Sequence, residues 1–388
     1  MNYNELLSPI VREMKPSGIR KFFDLVADMP DAISLGVGEP DFVTPWHIRD
    51  AGIYSLEKGR TYYTSNSGLL ELRVEITEYL KRRFHLTYNP EDEVLVTVGG
   101  SEAIDLCIRA LVAPGDEVLI PEPSFVCYSP CTALAGGVPV PIVTRAENNF
   151  KLKAEDLLKK ITPKTKMLIL PFPNNPTGAI MTKEDLEEIA AVLRGTNIVV
   201  LSDEIYAELT YDTKHVSIAE IEGMYEQTVL VSGFSKAFAM TGWRLGYLCG
   251  NPDLIAAATK IHQYAIMSSP TTSQYAAIEA MKNSDGDVEH MMNEYNYRRR
   301  LILDGVRSFG LDCFEPQGAF YIFPSVQRTG LNSNDFCTKL LNEQKVAVVP
   351  GNAFGESGEG FVRISYAYSA KNILAALERI EKFMAQYK

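Results

Sequence analysis

The sequence predicts an α/β protein of two domains, and three observations carry that reading. Short continuous runs of Val, Ile and Leu recur along the chain without the polar alternation of a half-exposed strand. Longer amphipathic stretches with helical spacing lie between them. At 388 residues the chain also exceeds what one hydrophobic core usually holds.

Taken in order, Val94-Leu95-Val96-Thr97-Val98 reads as a buried strand, and 101–112 as the helix that follows it. Strand-like runs recur at 117–120, 166–170, 197–201, 228–231 and 245–248, with a helical pattern at 183–194. Alternation of this kind builds a largely parallel sheet covered on both faces. From about residue 285 the texture changes. A long charged helix at 287–308 leads into apolar runs at 319–323, 346–349 and 361–365, and an amphipathic helix at 370–387 closes the chain. The expected division is a large domain over 46–284 and a smaller α/β domain formed by 1–45 with 285–388.

Composition narrows the function. A net charge of −11 argues against a nucleic-acid surface or an anionic membrane as the main partner, while leaving room for a local phosphate pocket. No apolar run approaches the length of a membrane span, and 1–13 lacks the apolar core of a signal peptide. The six cysteines show no paired CxxC spacing, which fits free thiols in a reducing compartment and a cytoplasmic location. The five histidines form no HExxH or Cys/His cluster, so no metal site is expected.

The most informative segment is Ser232-Gly233-Phe234-Ser235-Lys236-Ala237-Phe238-Ala239-Met240-Thr241-Gly242-Trp243-Arg244. A lysine with few charged neighbours at the end of a buried strand loses its proton easily, and such an amine forms a Schiff base with an aldehyde. Four other segments carry chemistry. Val98-Gly99-Gly100-Ser101-Glu102 ends a strand in two glycines and opens a helix, which suits a phosphate on the first helical turn, with Ser101 as cap or donor. Pro173-Asn174-Asn175-Pro176-Thr177-Gly178 is a turn that presents Asn175. In Leu201-Ser202-Asp203-Glu204-Ile205-Tyr206, Asp203 ends a buried strand, where it either pairs with a cation or caps a following helix. In Val362-Arg363-Ile364-Ser365, an arginine inside an apolar strand needs an anion: a substrate carboxylate or an internal salt bridge. Phe125 is placed to stack on a ring or to sit in the core. Tyr63 lies in a loop, free to donate to a phosphate.

In the order and spacing of these motifs the chain resembles the class I (fold-type I) aminotransferases that use pyridoxal 5'-phosphate (PLP), over nearly its whole length. The similarity is greatest to a subgroup that includes aspartate, aromatic and N-acetyl-diaminopimelate aminotransferases. The resemblance implies a large domain with a mostly parallel seven-stranded sheet. It makes Lys236 the Schiff-base lysine, Asp203 the partner of the pyridine nitrogen, and Tyr206 and Asn175 the contacts of the ring hydroxyl. Gly100, Ser101, Glu102 and Arg244 match phosphate positions, Phe125 the stacking aromatic, Gly38 a backbone position beside the substrate, and Arg363 the carboxylate-binding arginine. Tyr63 matches a residue that reaches the neighbouring subunit's cofactor, which implies a homodimer. Many relatives carry serine three residues before the lysine. Here that place is Gly233, so either Ser232 or Ser235 serves the phosphate.

The implied reaction is ping-pong transfer of an amino group from an L-amino acid to a 2-oxo acid. A PLP-dependent β-lyase acting on a cysteine-type substrate is the alternative. A dinucleotide site at Gly36-Val37-Gly38-Glu39-Pro40-Asp41 is excluded, because Asp41 replaces the last glycine of the GxGxxG pattern. Acidic and aromatic substrates are equally open. Arg20 or Lys21 is placed to meet a distal carboxylate, and Phe22 or Phe23 to line an aromatic pocket.

Overall fold

The computed structural model describes residues 1, 3–14, 16 and 29–387. Its strands are β1 (Ile33–Ser34), β2 (Val94–Thr97), β3 (Glu117–Glu122), β4 (Val138–Val143), β5 (Thr165–Leu170), β6 (Val199–Asp203), β7 (Thr228–Gly233), β8 (Gly246–Cys249), β9 (Tyr321–Ile322), β10 (Val346–Ala347), β11 (Val349–Pro350) and β12 (Val362–Ser365). Seven of them form one sheet in the order β2-β8-β7-β6-β5-β3-β4. Only β8 runs against its neighbours.

Because side chains alternate across a strand, each apolar run serves two cores. Leu201, Val229, Val231 and Leu248 pack with the helix Gly100–Leu111 on one face. Val200 and Leu168 face a second core with the helix Lys183–Leu193, and Leu230 and Tyr247 a third. The unbroken Val/Ile/Leu runs follow from that double burial.

The structure corrects several boundaries. The strand expected at 197–201 lies two residues later and ends on Asp203 itself. The run at 346–349 splits into β10 and β11, which pair with different partners, β1 and β12. The seventh sheet strand, β4, was not visible among the apolar runs because Pro139 and Pro141 interrupt it. Successive prolines are best tolerated in an edge strand, and β4 pairs only with β3.

A further apolar core gathers Leu35 from the start of the chain with Ile302, Tyr321, Ile364 and Phe383 from its last hundred residues. Tyr206, Leu209 and Ala239 from the large sheet's loops join it. The site described next lies where this core meets the sheet.

Candidate active site

The C-terminal ends of β2, β5, β6 and β7 lie at one edge of the sheet and deliver Gly100, Asn175, Asp203 and Lys236 to a common crevice. Open α/β sheets bind ligands at this edge, where loops diverge and free N–H groups face outwards. The crevice holds a cavity of about 380 Å³. Gly38, Gly100, Ser101, Phe125, Asn175, Asp203, Tyr206, Ser235, Lys236, Arg244 and Arg363 all line it. Residues spread over more than three hundred positions of sequence thus converge on one space.

Lys236 sits in its interior. Its Nζ donates to the Gly38 carbonyl at 2.7 Å. Burial pushes the amine down to about 8; the Glu39 carboxylate opposes that shift, and Arg363 and Arg244 reinforce it. Glu39 is itself held by the Thr241 hydroxyl.

Asp203 is 6% exposed. Its Oδ2 accepts from the Tyr128 hydroxyl at 2.7 Å and its Oδ1 from the Ile205 N–H at 3.2 Å. Burial raises the carboxyl to about 6 against the pull of those two bonds. A turn, not a helix, follows it, so Asp203 is no helix cap.

Arg363 is buried at 2% exposure between the Tyr321 and Phe354 rings, 4.5 and 4.8 Å from its guanidinium carbon. Nη1 donates to Asn175 Oδ1 at 2.9 Å and Nη2 to the Gly36 carbonyl. Nε has no partner, and among the described residues no carboxylate pairs with this guanidinium. The internal salt bridge that the sequence left open is therefore replaced by two neutral acceptors and a buried, unsatisfied N–H.

At the other end, Gly99 precedes the helix Gly100–Leu111 with φ 82°, a left-handed conformation that favours glycine. A Cβ there would sit 2.7 Å from Arg244 Nη2. Gly99 is the N-cap, which corrects the reading of Ser101 as cap: Ser101 stands in the first helical turn. The Glu102 side chain points elsewhere. It accepts from the Val98 N–H and binds His262 Nδ1 at 2.8 Å, so only its backbone is left for a ligand.

Ser235 lines the cavity, whereas Ser232 does not, and its Oγ donates to the Glu204 carbonyl at 3.3 Å. Gly233 is glycine because a Cβ there would lie 2.9 Å from Gly246 Cα across the β7–β8 pair. Tyr63 does not line this cavity and is 80% exposed. The Arg20, Lys21, Phe22 and Phe23 positions lie outside the described residues.

Among the lining residues that sequence reasoning missed are two tyrosines, Tyr128 and Tyr321. Each stands in an apolar context that signals core, and only the fold shows that its hydroxyl faces a site residue.

The chain matches the family model "Aminotransferase class I and II" over residues 30–380. It belongs to the class I and II aminotransferases. It is 46% identical to an aspartate aminotransferase of Pyrococcus abyssi, over 97% of each chain. It is 44% identical to aromatic-amino-acid aminotransferase 2 of Thermococcus litoralis, over 98% of this chain and 99% of that one. The solved aspartate aminotransferase of Thermus thermophilus with maleate superposes with a TM-score of 0.93 at 38% identity, covering 97% and 99%.

Aminotransferases of this family use PLP, and this enzyme moves an amino group between an amino acid and a 2-oxo acid. The cavity's donor set fits that cofactor. The glycine turn and Arg244 would suit a phosphate, the buried Asp203 carboxylate would suit a cationic ring nitrogen, and Lys236 brings an amine to the same cavity.

Proposed function

We propose that Lys236 is the lysine that holds PLP in this aminotransferase and moves the substrate's α-proton. The observation that carries this reading is a buried amine, lowered to about 8, in one cavity with Asp203 and Arg363. When bound, PLP supplies an electron-withdrawing ring that accepts the charge left on the substrate's Cα. At pH 7 about one amine in ten is unprotonated, enough for a general base in place. Arg363 uses two of its N–H donors on Asn175 and Gly36, and the rest are free to grip the α-carboxylate and orient the Cα–H bond. Asp203, steadied by Tyr128, would pair with the ring nitrogen. Tyr206 and Asn175 serve the ring oxygen and Phe125 the ring face. Gly100, Ser101, Ser235, Arg244 and the backbone of Glu102 hold the phosphate, and Gly38 lies beside the substrate.

The names of the relatives support an acidic or an aromatic amino acid as donor. Exposed Tyr62 and Tyr63, beside a surface groove with Ser268 and Pro270, support a homodimer in which Tyr63 serves the neighbouring site. The core that unites Leu35 with 291–384 supports the division into 46–284 and 1–45 with 285–388. Six free thiols support a cytoplasmic location.

An absorbance scan of the holoenzyme with a panel of amino acids, without 2-oxo acid, tests the function. One donor is expected to bleach the visible cofactor band stoichiometrically and so name the substrate. A band that persists while pyruvate and ammonia form would make the protein a lyase.

Asp203 gives a second expected result. Its carboxyl must be ionised to pair with a cationic ring, and burial raises it to about 6. PLP affinity of the apoprotein should therefore fall as pH drops below about 6, approaching tenfold per unit. Asp203→Asn should bind weakly at all pH values and lose that dependence. A flat wild-type profile between pH 5 and 8 would remove Asp203 from the role.

A further inference from the structure

Tyr321 occupies a node that none of the sequence motifs pointed to. It stands on β9, is fully buried, and lines the cavity. Its hydroxyl lies 2.8 Å from the Tyr206 hydroxyl. Its ring lies under Arg363, with the guanidinium carbon 4.5 Å from the ring centroid. A Cβ added at Gly38, whose carbonyl accepts from Lys236, would collide with the Tyr321 hydroxyl. One side chain thus touches the two residues proposed for the ring oxygen and the carboxylate, and it limits the residue at the lysine's acceptor.

We propose that Tyr321 is a positioning residue that holds Tyr206 and Arg363 at once, its hydroxyl fixing the tyrosine and its ring fixing the guanidinium. The inference rests on the roles proposed above for those two residues.

The chemistry separates cleanly into two parts. A phenol hydroxyl beside another takes one of its hydrogen bonds, so it sets how strongly Tyr206 donates towards a ring oxygen. An aromatic face under a desolvated guanidinium attracts the cation and restrains its plane, which is the plane a carboxylate must meet. Tyr321 also belongs to the core that contains Leu35 and Ile364, and Tyr206 joins that core from the loop after β6. The contact therefore registers the carboxylate-binding side of the cavity against the cofactor-binding side.

Two variants of the holoenzyme test each half. Tyr321→Phe removes the hydroxyl and keeps the ring. It is expected to move the pH midpoint of the visible cofactor band by about half a unit or more, the size of one hydrogen bond. Tyr321→Leu removes both, and should in addition raise KM for the amino acid and the 2-oxo acid together, by about five- to tenfold. The KM rise should be confined to the leucine variant. A midpoint unmoved in Tyr321→Phe, or KM values raised as much by phenylalanine as by leucine, would overturn the assignment. Tyr206→Phe and Arg363→Ala serve as references. If Tyr206→Phe leaves the midpoint in place and Arg363→Ala leaves KM unchanged, the underlying roles fail. If those references respond and the Tyr321 variants do not, only the inference about Tyr321 fails.

Discussion

Lys236→Ala is expected to abolish transamination, with kcat lower by at least about four orders of magnitude, because the variant lacks both the cofactor-linking amine and the general base. The fold should survive. Desolvation holds the amine at about 8 against an ordinary value near 10.5, so its charged form destabilises the folded chain by about 3 kcal/mol at neutral pH. The sign follows from proton counting. Between about pH 8 and 10.5 the unfolded chain binds more protons at this position than the folded one. Stability contributed by this group therefore rises with pH across that window and is lost below it. Removing the amine lifts the penalty, and the apoprotein of the variant should unfold at pH 7 no earlier than the wild type. Thermal melts of both apoproteins, with a single-turnover assay, check the two halves. Near-normal turnover would remove Lys236 from the mechanism, and a large drop in melting temperature would make its bond to Gly38 structural.

Arg363→Ala should raise KM for the amino acid and for the 2-oxo acid alike, by about 10- to 100-fold, because both present the same carboxylate to the same fork. Lysine at this position should recover little, since a point charge cannot reproduce two parallel hydrogen bonds and would leave Asn175 Oδ1 or the Gly36 carbonyl without its donor. Steady-state kinetics with the amino acid varied, then the 2-oxo acid, give the comparison. Unchanged KM values in both directions would reduce Arg363 to a tie between two loops.

Much of this site was legible because catalysis needs residue types that are conspicuous where they stand. A lysine, an aspartate and an arginine at the ends or in the middle of apolar strands are expensive there, and their cost marks them. The tyrosines were hidden for the opposite reason. Tyr128 and Tyr321 are ordinary in apolar runs, and only the fold shows that their hydroxyls meet Asp203 and Tyr206. At Glu102 the motif gives the position but not the side chain's direction, which is towards His262 and the Val98 N–H. The strand boundaries failed in a similar way. Hydrophobicity locates a buried segment, but pairing decides where a strand ends, and pairing splits 346–349 between two partners.

The prolines of β4 have an effect beyond their place at the sheet edge. The N–H groups of Val138 and Thr144 point inwards to the carbonyls of Asp116 and Glu122, so the even-numbered positions face β3. Pro139 and Pro141 then fall on the open side, where a passing strand would look for donors and finds none at either position. That rim of the molecule resists edge-on zipping through its own backbone. Two missing donors in so short an edge make strand pairing between copies of this enzyme unfavourable along that flank.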